Sequence, residues 1–171
     1  MSWLTALSNG LVRLERWASR LLVLAFVGLI VVNVAMRYVI GRPMVFAEEL
    51  AAILLVWLAF TATSITIHDR TQIGVTLVTD LLSERLRRIT AIVTYSGIAL
   101  ILAVLLWSSI KWVNSPVVAF EQIITTGWPK SPFFWIVPIF SLFALIHVAA
   151  DLANTLAAKD TKSARAMEVQ P

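Results

Sequence analysis

Cysteine is absent from the 171 residues, which removes disulfide frameworks, thiolate zinc sites, iron–sulfur clusters and thiol catalysis. Charge is scarce too: Asp, Glu, Lys and Arg make up 14% of the chain, against about 25% in an average soluble domain. The six glycines stand at 10, 28, 41, 74, 97 and 127. Neither a GxGxxG fingerprint nor a phosphate-cradling GxxxxGK loop can be written with them, so nucleotide hydrolysis by that route is excluded. Nor does the chain offer the nucleophile, base and orienting group of a hydrolytic site, and it reads as a non-enzyme. The net charge of +4 comes from basic residues dispersed around apolar runs. They form no patch interleaved with aromatics, which argues against a nucleic-acid partner.

What the chain has is apolar length. Hydrophobic residues make up 59% of it, and a hydrocarbon core about 30 Å thick takes roughly 20 apolar residues per helix. Four spans follow, at about 21–40, 45–67, 87–113 and 132–153. The fold class is an all-α membrane protein with membrane lipid as its surroundings. Residues 1–158 make one four-helix domain, and 159–171 a polar tail of disordered composition. Leu4, Leu7, Leu11, Leu14 and Ala18 recur at three- and four-residue spacing before the first span, with Arg13, Arg16 and Arg20 elsewhere around the helix. That pattern predicts an N-terminal amphipathic helix in the membrane interface. A cleaved signal peptide is the competing reading, opposed by the long lead-in and by the lack of a small-residue cleavage pattern. Val75, Val78, Leu82 and Leu86 predict a second short interfacial helix between spans two and three.

Ten of the fourteen Lys and Arg residues fall in the N-terminal segment, the second connection and the tail: Arg13, Arg16, Arg20, Arg70, Arg85, Arg87, Arg88, Lys159, Lys162 and Arg165. Arg37, Arg42, Lys111 and Lys130 lie on the other side. By the positive-inside bias both termini are expected in the cytoplasm. Trp3 and Trp17 then fall at one interface and Trp107, Trp112, Trp128 and Trp135 near the other, as aromatic belts require, with Trp57 between them.

Three groups of residues are candidates for more than spanning. Arg37 ends the first span and Glu48 and Glu49 begin the second across a Gly41-Arg42-Pro43 turn. They either pair to order this hairpin or dock a partner, or each snorkels to water. Ala52, Ala59, Ala62, Thr63 and Thr66 make a small-residue stripe along the second span, a helix-packing face. Its partner is another helix of this chain or another subunit, with Trp57 filling space in the contact. His68 and His147 raise haem ligation between helices. Against it, His68 ends its span while His147 lies inside its own, where Asp151 one turn on is a simpler partner.

Arg37-Tyr38, Gly41-Arg42-Pro43, Glu48-Glu49-Leu50 and Trp57, then Gln72-Ile73-Gly74-Val75, then Pro132 and Pro138, together resemble the small membrane (Q, DctQ-like) subunit of tripartite ATP-independent periplasmic (TRAP) transporters. The resemblance covers about residues 10–155. Phe46, Gln72 and Phe140 depart from tryptophan, histidine and glycine common at those places. It implies a bacterial inner-membrane protein beside a large polytopic M subunit that holds the sodium and substrate sites. A periplasmic substrate-binding protein would supply an organic acid, such as a dicarboxylate or a sialic acid. The complex would use a sodium gradient, and this chain would bind no cofactor. The alternative is a small haem-binding four-helix anchor of an electron-transfer complex.

Overall fold

The computed structural model describes residues 3–69 and 83–168. The first helix, α1, runs unbroken from Trp3 to Ala35, and a π-helical turn, Met36–Ile40, extends it. The second, α2, spans Ala47–His68, and α3 spans Glu84–Val113. Two short helices, α4 (Pro116–Ala119) and α5 (Ser131–Phe134), lie in the next connection, and α6 runs Ile136–Glu168. Among the described residues four stretches are long and apolar enough to cross a bilayer: Trp3–Ile40, Ala47–His68, Leu86–Val113 and Ser131–Leu156. The molecule is therefore an all-α membrane protein with four spans. The helix expected between spans two and three falls largely on residues outside those described.

The expected separate interfacial helix is replaced by a continuous one. Nothing between Arg20 and Leu21 can break a helix, and the amphipathic segment extends the first span. The face it buries also differs from the apolar stripe. Leu7 and Leu14 are exposed, while Ser8, Val12 and Glu15 are buried. In lipid an apolar face gains nothing by turning inward, so polar and small residues pack instead. At the other end of the bundle α1 stops at Gly41, whose left-handed φ of 71° caps the π turn through the bond from its N–H to Met36 O. Asn33, buried, accepts the Met44 N–H at 2.8 Å and pins the loop against the helix.

α6 packs between α2 and α3. Leu102 of α3 and Phe140, Ala144 and Val148 of α6 form the apolar core, with Phe60 against Phe140 at a ring separation of 5.1 Å. Pro132 and Pro138 break the fourth span at Trp135 rather than bend it, since Pro138 has no N–H to give the Phe134 carbonyl. The preceding loop folds into a small hairpin: Ile123 N–H donates to Trp128 O at 2.7 Å and Lys130 N–H to Glu121 O at 2.9 Å. α6 then stays helical to Glu168, past the boundary at 158 expected for the tail. Ala157, Ala158 and Lys159 are strong helix formers that carry it on.

Candidate functional site: polar clusters and an open helix face

At the end where α1 begins and α2 finishes, a chain of polar groups ties three helices together. His147 of α6, 1% exposed, has its Nδ1 2.7 Å from Ser8 Oγ and its Nε2 3.1 Å from Glu15 Oε2, both on α1. The His68 ring meets the His147 ring edge-on at 5.0 Å. His68 Nε2 lies 3.1 Å from Asn9 Oδ1, and its Nδ1 3.1 Å from Asp69 Oδ1. Arg16 closes the chain by donating to both Asp69 oxygens, at 2.7 and 2.9 Å. The hydrogen bond with His68, helped by the Arg16 charge, holds the Asp69 carboxyl below the usual carboxylate range against a smaller opposing effect of burial.

The histidines thus stand at one level, which corrects the expected mismatch in depth. His147 sits beside the end of α2 because α6 continues well past it. All four ring nitrogens already face protein side chains, so the arrangement does not favour haem ligation. Among the described residues, no three His, Asp or Glu side chains converge on a possible metal position. Sequence reasoning missed Ser8, Asn9 and Glu15. Glu15 carried the one available signal, as an acidic residue among the arginines of an apolar-periodic helix.

At the opposite end, the two neighbouring glutamates do different things. Arg37 lies 3.6 Å from Glu48, and both side chains are more than half exposed. Glu49 turns instead to the hairpin before α5, accepting from Thr125 Oγ1 at 2.6 Å, Thr125 N–H at 3.0 Å and Ile124 N–H at 3.3 Å. The first hairpin and the third connection are thereby joined. Trp57 does more than fill space: its indole N–H donates to the Phe133 carbonyl at 2.9 Å, beside the break in the fourth span.

The small-residue stripe is not covered by another helix among the described residues. Ala52, Ala59, Ala62, Thr63 and Thr66 are all exposed, whereas Ala47, Ala51, Thr61 and Ser64 form the buried face of α2. Thr63 and Thr66 return their hydroxyls to the carbonyls of Ala59 and Ala62, so the open face shows no dangling donor. Both faces of α2 are rich in small residues, and the periodicity alone could not tell which one turned inward.

Four apolar spans with polar groups inside and apolar side chains outside are the marks of a membrane protein. Residues 26–158 match the family described as "Tripartite ATP-independent periplasmic transporters, DctQ component", and the chain belongs to that family. It is also similar to the sialic acid TRAP transporter permease protein SiaT of Haemophilus influenzae (strain 86-028NP), at 27% identity over 78 residues. The matched stretch is 46% of this chain and 13% of that relative's length.

Proposed function

We infer that the chain is the non-catalytic small membrane subunit of a sodium-driven TRAP transporter for organic acids, and that it enlarges the fixed scaffold beside a large polytopic subunit. The open face of α2 carries this reading. Ala52, Ala59 and Thr63 are exposed in the isolated chain, and small residues at a helix surface let a second backbone come close in lipid. The large subunit would lie there, and Arg37 and Glu48, both more than half exposed at the head of the same hairpin, would meet its outer loops. The uneven spread of basic residues supports a bacterial inner membrane with both termini in the cytoplasm. The similar permease is named for sialic acid, which supports a sialic acid as the cargo, with a dicarboxylate as the other organic acid of the reading. The substrate and sodium would bind to the large subunit, after delivery by a periplasmic binding protein.

Co-expression with the large subunit tests the assignment. The tagged chain should retain that subunit in mild detergent, and Ala59→Phe should lower its recovery at least several-fold while leaving the chain's helicity intact. A chain that purifies alone, or recovery indifferent to Ala59→Phe, contradicts the docking face. Charge reversal at Glu48 should have a smaller effect in the same assay.

A further inference from the structure

The connection between α3 and α6 does not stand clear of the bundle. Thr125, at the tip of its hairpin, is held by Glu49 in the first turn of α2, and Phe133, where the chain enters the fourth span, accepts the Trp57 indole N–H. Glu49 and Trp57 are eight residues apart, about 12 Å along a helix. The hairpin therefore runs beside the apolar stretch of α2 that Glu49 heads, at depths this span itself occupies in the membrane. Val118 and Ile123 are buried against the bundle. Phe120 and Ile124 are 84% and 88% exposed, the most open large apolar side chains among the described residues. Trp112 and Trp135, both exposed, flank the connection at the end of α3 and the head of the fourth span, as indoles at a membrane interface do.

Irregular backbone at membrane depth is tolerated only where its polar groups find partners inside the protein. The hairpin meets that condition along most of its donors. Ala119 and Glu121 N–H donate to the Ser115 and Val118 carbonyls, Gly127 N–H to Ile123 O, and the Ile123 and Lys130 N–H groups close the ladder. At the tip the Ile124 and Thr125 N–H groups both go to the Glu49 carboxylate. A loop built for water would leave such turn donors to solvent; this one has a carboxylate of α2 committed to them. We propose that residues 119–130 form a lipid-embedded hairpin, with Phe120 and Ile124 inserted among the acyl chains of the adjacent leaflet and Glu49 sealing the donors at its tip. A soluble partner could not reach side chains at that depth. The proposal concerns how the chain sits in the bilayer and does not rest on the transporter assignment.

The full chain, which has no cysteine of its own, can carry a single nitroxide at Phe120→Cys, at Ile124→Cys or at Arg42→Cys, the last in the exposed turn after α1. In phosphatidylcholine vesicles the labels at 120 and 124 should relax with oxygen, which concentrates in lipid. They should also be several-fold less open to a water-soluble nickel chelate than the label at 42. Adding Glu49→Ala strips the tip donors of their partner and should raise nickel access at 124 toward the value at 42. Circular dichroism serves to confirm that each variant remains helical. The proposal is overturned if the labels at 120 and 124 meet nickel as freely as the label at 42, or if Glu49→Ala leaves the label at 124 where it was. Shielding from both reagents, in the chain alone or with the large TRAP subunit present, also overturns it, because protein and not lipid would then cover the face.

Discussion

Glu15 and His147 set the chemistry of the bundle's terminal end. Each is almost wholly buried, and removing one member of such a pair strands the other where no water reaches it, at a cost of about 3 kcal/mol. Glu15→Ala and His147→Ala should each lower the thermal midpoint in detergent, and the double variant should lose less than the sum of the two. Strict additivity would show that the groups do not act together. Asp69 gives a pH dependence of known sign. Its carboxyl is held below the ordinary value by His68 and Arg16, so its contribution to stability is present above the unfolded carboxylate pKa. That contribution is lost as pH falls through the lower folded value. Between pH 6 and 3 the wild-type midpoint should drop more steeply than that of Asp69→Asn; equal slopes would refute the linkage. The exposed partners at Asp69 keep the effect small.

Single helices show where sequence pattern was sufficient and where it was not. The apolar runs placed α2 and α3 within about three residues of their observed ends, because twenty apolar residues in a row have one solution in lipid. They could not show that α1 is continuous across Arg20 and Leu21, since an interfacial and a transmembrane helix share one period and only packing separates them. The π turn at Met36–Ile40 was equally hidden. It depends on Gly41 and on the long-range bond from Met44 to Asn33. Gly41 has open space around its Cα but a φ of 71°, so only backbone strain opposes a side chain there. Gly41→Ala should destabilise by about 1 kcal/mol and Gly41→Asn by less, because asparagine tolerates the left-handed region. Chemical unfolding of the pair checks the order, and an Ala variant as stable as wild type would refute it. Trp57→Phe removes the bond to the Phe133 carbonyl together with part of the ring's packing and should destabilise by at least about 1 kcal/mol. No change in that measurement would mean that the break at Trp135 satisfies itself.

Across the whole molecule the distribution of polarity is that of a protein in lipid. Ser8, Glu15, Asn33, Thr61, Ser64, Ser109, Ser141 and His147 are buried, while Leu24, Val93, Leu100 and Ile101 are more than 60% exposed. That inversion explains how much of the candidate site was legible. The charged residues at the span ends were visible as exceptions to an apolar background, and Arg37 does lie beside Glu48. The division of labour between Glu48 and Glu49 was not, because it depends on a hairpin 75 residues away in sequence. The His68–His147 contact likewise needs two helices in register, which no local pattern encodes. The absence of cysteine gives this chain a clean background for placing one. With a benzophenone maleimide on a single cysteine at Ala59, in membranes that also carry the large TRAP subunit, illumination should join the two chains covalently. An intact complex that yields no such product from Ala59, nor from Thr63 treated alike, would contradict the central claim that this face of α2 is where the small subunit docks.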